Sequence, residues 1–443
     1  MRVDWGSIAD LIEGRNKLSA QPQNIGKYTV LSELGRGATA TVYLGRDAFA
    51  GREVAVKVFW HGPEDTGLAA PKRRNTFLNE AALVGKLQHP HIVSLLDAAV
   101  ERDYSYIVME FVPGGTLAQF TAADALLPLE KVVEVVFKSS RALEYAHRQG
   151  VIHRDIKPAN ILVTRAFDVK LSDFGVALLA DATHTNLRNV GSPAYMSPEQ
   201  LSDEPLTHQT DIYSLGVVMF QLLTGRLPFA ATSHASLMYQ IVNHRPPALR
   251  SLRQDLPEAA EAIVSRALQK DLAVRYQSWI DFGKDLASLV RHLEAPREEL
   301  SDTRKFHMLR NLAFFRDFRE VEIWEALRTA TWQRLPAQTV IIEEGERAES
   351  FYVLVDGEVE VTRAGHPLSA LGAGDCFGEM LYFSGETSLR NTTIRARTSV
   401  LVLEIKAEAL TAASDACQVQ FNKAFMRILI DRLTAANQKL SER

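Results

Sequence analysis

The apolar rhythm of the chain changes period at Pro113-Gly114-Gly115. Upstream, from about residue 28, apolar and polar residues alternate in short runs: "YTVLSELG", "ATVYLGRD", "EVAVKVFW" and "SYIVMEFV". A period of two bounded by Gly, Asp and Pro marks strands with one covered face. One helical stretch interrupts them, "NTFLNEAALVGKLQ", with Phe77, Ala81, Leu83, Val84 and Leu87 on one side. Downstream, "LEKVVEVVFKSSRALEYAHRQG" and "DIYSLGVVMFQLLTGRLPF" carry broad apolar faces at helical spacing, and Gly150 and Gly225 fall where helices stop. A β-rich lobe followed by an α-rich lobe is the α+β arrangement this pattern permits.

The pattern then resets. "EAPREELSDTRKF" is charged, holds a Pro and has no apolar rhythm, so it reads as a linker. Beyond it, helical "FHMLRNLAFFRDFREVEIWEALRTA" gives way to "TVIIEEGE", "SFYVLVDGEVEVTRAG" and "SVLVLEIK", with Asp356-Gly357 as a hairpin turn, and the chain ends in one long helix. The 443 residues exceed one ordinary core. The expected division is an N-terminal extension 1–27, a bilobal unit 28–293 (small lobe 28–112, large lobe 113–293), a linker 294–305 and a second unit 306–443. In the extension, Trp5, Ile8, Leu11 and Ile12 lie at helical spacing, without the continuous apolar run of a secretory signal.

Bulk properties exclude several function classes. A net charge of −4 gives no basic footprint for nucleic acid. No run approaches the length of a membrane span. The two cysteines, Cys376 and Cys417, form no C-x-x-C pair and read as free thiols of a reducing compartment, hence a cytoplasmic location.

Four strings carry chemistry. In "GRGATATVYLG", Gly35 and Gly37 let a strand-turn-strand bring its backbone close to phosphates, although a plain hairpin has the same look. In "VAVKVF", Lys57 sits in an apolar strand, where a lysine either snorkels or needs a partner such as Glu80. "HRDIKPANILV" puts Asp155, Lys157 and Asn160 in one loop: a carboxylate to accept a hydroxyl proton, an ammonium to neutralise a phosphoryl group, an amide oxygen for a metal. Asp173 in "LSDFGVA" follows an apolar strand and can ligate Mg²⁺.

Together and in this order, the strings resemble the signature set of Hanks-type, eukaryotic-like serine/threonine protein kinases. The resemblance spans roughly Tyr28 to Leu293 and includes "GSPAYMSPEQ", "DIYSLGV" with Asp211 and Gly216, and Arg275 in "KDLAVRY". It implies a bilobal kinase fold, ATP and Mg²⁺ as cofactors, and protein substrates. Gly35, Gly37, Val42 and Ala55 would enclose ATP, and Lys57 would contact the α/β-phosphates and pair with Glu80. Met109 would be the gatekeeper, with Glu110 and Val112 at the hinge that reads adenine through its backbone. Asp155 would be the catalytic base, Lys157 would meet the γ-phosphate, and Asn160 and Asp173 would hold Mg²⁺; Glu199, Arg275 and Asp211 would brace the large lobe. Ala40 replaces the third glycine of the phosphate loop and Ser197 the alanine of A-P-E, both small for small. Arg154 before the base implies a phosphorylated activation loop, and Thr183 and Thr185 are the autophosphorylation candidates. Ser192 aligns with the residue that shapes the acceptor pocket.

The second unit resembles cyclic nucleotide-binding domains: a β-barrel (jelly roll) with a C-terminal helix. "EEGERAESFYVLVDGEVEV", "LGAGDCFGEM" and the "FGE…R" of 377–390 carry the likeness. It implies that Glu379, after Gly378, accepts a hydrogen bond from a ribose 2′-hydroxyl, and that Arg390 pairs with the cyclic phosphate of cAMP or cGMP. Asn391 and Thr392 follow the Arg, and Thr392 and Thr393 either touch the base or cap the loop. Leu381, Tyr382 and Phe383 stand where the family has small residues, the loop is about two residues longer, and Leu389 replaces a Pro. In the last helix, Val419, Asn422, Met426, Leu429, Leu433, Ala436 and Leu440 form one ridge, and Phe421, Phe425 and Ile428 another. One ridge suits the barrel and the other a second chain. Three functions compete: a kinase regulated by a cyclic nucleotide, an active kinase whose degenerate second unit serves dimerisation or docking, and a non-catalytic kinase-like scaffold.

Overall fold

The period-two segments at the front of the chain form one antiparallel sheet. In the computed structural model, which describes residues 22–37, 40–61, 70–174, 193–293, 300–380 and 389–441, this sheet has six strands in the order β1-β2-β3-β4-β6-β5. They are β1 (Asn24–Ile25), β2 (Tyr28–Arg36), β3 (Thr41–Asp47), β4 (Arg52–Trp60), β5 (Leu95–Val100) and β6 (Tyr104–Glu110), with helix α1 (Ala70–Val84) between β4 and β5. One face is apolar core: Tyr43, Val54, Val56, Val58 and Val108 are buried against Tyr28 and Tyr106. Alternation puts the intervening residues on the other face. Val42 pairs with Lys57, and Ala55 with Met109, so these four share that second, half-buried face.

After the double glycine come α2 (Leu129–Arg148), the hairpin β7 (Ile161–Val163) and β8 (Val169–Leu171), α3 (His208–Thr224) and α4 (Trp279–Leu293). Helix α3 is buried almost throughout, as its nearly continuous apolar sequence requires. Gly225 ends it in the left-handed conformation (φ 71), its N–H returning to Gln221 O.

The chain divides into two compact units, Met1–Leu293 and Glu294–Arg443. The second opens with α5 (Asp302–Asn311) and α6 (Glu320–Thr329). Helix α5 starts inside the stretch expected as linker, because Ser301 caps Arg304 N and buries Phe306 and Leu309 behind it. Eight strands follow: β9 (Ala330–Leu335), β10 (Val340–Ile342), β11 (Ser350–Asp356), β12 (Val359–Arg363), β13 (His366–Leu371), β14 (Cys376–Phe377), β15 (Thr393–Ala396) and β16 (Val400–Lys406). They make two four-stranded antiparallel sheets, β10-β15-β12-β13 and β14-β11-β16-β9. Both sheets contribute to one core of Leu354, Val359, Phe377, Ala396, Val400 and Val402, the jelly-roll arrangement. The chain closes with α7 (Asp415–Ser441), whose Phe421 and Phe425 pack against Phe314 and Phe351. Among the described residues no helix is long and apolar enough to cross a membrane.

Candidate active site and ligand pocket

The loop between α2 and β7 is held from below. Asp211, buried near the start of α3, accepts hydrogen bonds from His153 N (2.8 Å) and Arg154 N (2.9 Å). His153 Nε2 reaches Ser172 O at 2.8 Å, and its ring lies 4.4 Å from that of Phe174. Arg154 and Asp173 both take positive φ, 66° and 64°. Non-glycine residues in this region are strained and persist where neighbours over-determine them. Here the strain sits on both sides of the candidate chemistry.

Above this base the three loop residues converge. Lys157 Nζ lies 2.7 Å from Asp155 Oδ2, and Asn160 Nδ2 donates to Asp155 Oδ2 (2.9 Å) and Asp155 O (2.8 Å). Asn160 uses its nitrogen for both bonds, which leaves the amide oxygen as the face for a hard cation. Lys57 Nζ, from the half-buried face of the sheet, meets Asp173 Oδ1 at 2.8 Å.

That contact corrects one expectation. Lys57 does not pair with Glu80. The left-handed backbone at Asp173 turns its carboxylate back to β4, where it takes the ammonium. Glu80, half-buried on α1, has its carboxyl pushed up by burial, opposed by the charge of Arg154. One of its oxygens, Oε2, is buried without a hydrogen bond.

Of the remaining kinase-like positions, Val42, Ala55 and Met109 share the sheet face of Lys57. Cβ atoms on Gly35 would meet nothing within 4 Å, so packing does not demand glycine there. Glu110 ends β6 with its carboxylate taken by Ser94 N (2.8 Å) and Lys170 Nζ (2.6 Å). Glu199 and Arg275 form a buried fork, Nη1–Oε1 2.7 Å and Nη2–Oε2 3.1 Å. Thr183, Thr185 and Ser192 lie outside the described residues.

In the second unit, Glu379, Arg390, Asn391 and Thr392 line one cavity of about 250 Å³, walled by Ile342 and Val361. Arg390 is fixed before any ligand arrives: Nη1 donates to Gly378 O (3.2 Å) and Nη2 to Ser350 O (2.5 Å). Burial pulls its guanidinium below its ordinary value. Gly378 has φ 79°, and a Cβ there would stand 2.8 Å from Arg390 Nη1. Thr393 caps the loop, its hydroxyl accepting from Glu344 N at 3.1 Å, while Thr392 faces the cavity. Residues 381–388, the bulky part of the lengthened loop, lie outside the described residues.

Sequence reasoning missed the apolar walls of this pocket and one charged residue in it. Arg432 of α7 lines the same cavity, with Nη1 2.6 Å from Glu379 Oε1, and Nη2 donates to Cys376 O. Its distance of 53 positions from Glu379 left no local pattern to find.

Residues 28–283 match the family described as protein kinase domain, and residues 332–416 the cyclic nucleotide-binding domain. The chain is 37% identical over 265 residues to the probable serine/threonine-protein kinase PknB of Lactococcus lactis, covering 59% of this chain and 42% of that one. It is 36% identical over 266 residues to the serine/threonine-protein kinase PrkC of Bacillus subtilis (59% and 40%). It is 34% identical over 293 residues to the serine/threonine-protein kinase PknL of Mycobacterium tuberculosis (66% and 72%). The chain thus spans about two fifths of the length of the first two relatives. With the family matched over more than half of its length, the chain belongs to the protein kinase family and carries a C-terminal cyclic nucleotide-binding domain.

Proposed function

We propose that this protein is a cytoplasmic serine/threonine kinase that transfers the γ-phosphate of ATP to protein hydroxyls, its own included, under control of a cyclic nucleotide. The observation that carries the catalytic part is the Asp155–Lys157–Asn160 cluster, set on the Asp211 brace and beside the Lys57–Asp173 contact. Asp155 takes the proton of the acceptor hydroxyl as its oxygen attacks the γ-phosphorus. Lys157 neutralises the charge that builds on the transferred group, and Lys57 anchors the α/β-phosphates. Asn160 and Asp173 supply oxygen ligands for Mg²⁺, which when bound screens the phosphates and orients them. That the chain carries all five ionic or amide groups supports catalysis over the scaffold.

The regulatory part rests on Glu379 and Arg390 lining one cavity. The apolar ridge of α7 favours a second role for the same unit, self-association: Val419, Met426, Ile430 and Leu433 are exposed while Phe421 and Phe425 are buried.

Label transfer from ATP by the full chain, with no nucleotide, cyclic AMP or cyclic GMP, tests both parts. Asp155→Ala is expected to lower transfer by about 10²–10⁴-fold. Arg390→Ala is expected to abolish any response to the nucleotide. Transfer that survives Asp155→Ala refutes the catalytic assignment. An Asp155-dependent activity indifferent to both nucleotides leaves the kinase and removes the regulation.

A further inference from the structure

We propose that His147 and His208 form a two-imidazole site for a transition-metal ion of the zinc class, which ties the end of α2 to the start of α3. The two rings belong to different helices. His147 lies in the last turn of α2, and His208 is the first residue of α3. Their ring centroids are 4.7 Å apart, with the ring planes at 45°. Two imidazoles on one ion, at metal–nitrogen distances of about 2.0–2.1 Å and an angle of about 90–110° at the metal, have centroids about 4.5–5.2 Å apart. The observed separation falls inside that range, so the two helices already stand at chelating distance.

The hydrogen bonding of the rings suits ligands. His208 Nε2 lies 3.0 Å from Gln277 O. A carbonyl oxygen only accepts, so Nε2 carries the proton and the neutral ring keeps its lone pair on Nδ1. Metal-binding histidines are typically oriented by such a bond from their other nitrogen. His147 is exposed, and neither of its ring nitrogens bonds another described residue. What burial it has, with His208 adding to it, pulls its imidazole below the ordinary value near 6.5, toward the neutral form that can bind. Among the described residues no third His, Cys, Asp or Glu completes a cluster. Water would fill the remaining positions of the tetrahedron. Nitrogen donors select a zinc-class ion over Mg²⁺, which takes oxygen ligands. The place of the pair gives such an ion a consequence. Helix α2 leads into the loop of Asp155, and Asp211, one turn after His208, accepts from His153 N and Arg154 N of that loop. A clamp between the two rings therefore reinforces the Asp211 brace.

The test uses the full chain, stripped of metal with a chelator, held without ATP or Mg²⁺, and titrated with zinc chloride against a chromogenic zinc chelator. The parent is expected to bind one equivalent more than His147→Gln or His208→Gln. At that site each variant loses more than about tenfold in affinity, because losing one of two protein ligands costs at least as much as losing an outer-shell partner. Zinc at about a hundredfold excess over its Kd is expected to raise the melting temperature of the parent by about 5 °C and that of neither variant. Without zinc the variants are expected to melt with the parent, which shows that they fold. His147→Cys, which offers a thiolate in place of the imidazole, is expected to recover the bound equivalent, a result that a packing role would not give. Equal stoichiometry and affinity in the parent and both glutamine variants, or loss in only one of them, overturns the site. So does a parent whose melting temperature zinc leaves unchanged.

Discussion

The buried ion pair of the large lobe offers the sharpest quantitative prediction. Arg275 is wholly buried and Glu199 is 3% exposed. Four of the five guanidinium N–H groups are used: two bonds to Glu199, one from Nε to Gln269 O (2.8 Å) and one from Nη1 to Gln209 O (2.9 Å). Glu199 also accepts from Thr210 Oγ1 at 3.0 Å. Removing one partner leaves an uncompensated charge in the core, which costs about 3–5 kcal/mol. Replacing both with apolar residues of like volume costs far less, because neither charge is then stranded. Glu199→Gln is therefore expected to lower the unfolding midpoint of the kinase unit on the order of 10 °C. Arg275→Met is expected to do the same, and the double variant Glu199→Leu/Arg275→Met to recover most of the loss. Thermal and urea unfolding of the full chain measure it. Burial works against the charge of Glu199, yet the Arg275 hydrogen bonds hold its carboxyl below its ordinary value near 4.5. The folded value is the lower one, so the contribution is complete above that pH and is lost as pH falls through the folded value. Additive single losses in the double variant would refute the reasoning, since they would mean that neither residue depends on the other.

Three further outcomes are expected. Gly378→Ala, with φ 79° and a Cβ 2.8 Å from Arg390 Nη1, should abolish nucleotide binding in calorimetry while label transfer without nucleotide persists. Ile430→Glu/Leu433→Glu, on the exposed ridge of α7, should convert any dimer seen in sedimentation into monomer without lowering the melting temperature. Lys270, half-buried against Phe229 and Tyr213, has its ammonium pulled down to about 7 by burial, with the charge of Arg275 adding to it. The unfolded chain then binds the extra proton between about 7 and 10.5, so stability rises with pH across that window. Lys270→Met should flatten the rise in urea midpoint between pH 7 and pH 9.

Much of the kinase cleft was legible because its residues sit close together in sequence or repeat a fixed period. Asp155, Lys157 and Asn160 share one loop, so their meeting needed only that the loop be tight. Val42, Ala55, Lys57 and Met109 share a face because strand alternation leaves no other choice once the register is set. Glu80 was misplaced because the pairing of a helix with a strand depends on how that helix docks, which periodicity does not encode. What sequence could supply was a lysine in need of a carboxylate. In the structure that carboxylate is Asp173, whose backbone takes a positive φ that the string of letters does not reveal.

The ligand pocket presses the same point further. The loop residues Gly378, Glu379 and Arg390 were recognisable, and the geometry brings them to one cavity. Their electrostatic state was not. On sequence alone Glu379 stands ready for a hydroxyl; in the structure it is already spoken for by Arg432, 53 positions further along the chain. A binding site read from its loop lists what can touch a ligand. Its affinity depends also on what those groups touch beforehand, and here that partner arrives from the far end of the domain. The helix that covers the aromatic core with Phe421 and Phe425 thereby carries a charge into the pocket. A ligand that cannot replace Arg432 at Glu379 would gain affinity from Arg390 alone. Analogues lacking the 2′-hydroxyl are therefore expected to bind more weakly in calorimetry than the nucleotide that carries it, and equal affinities would show that Glu379 makes no contact with the sugar.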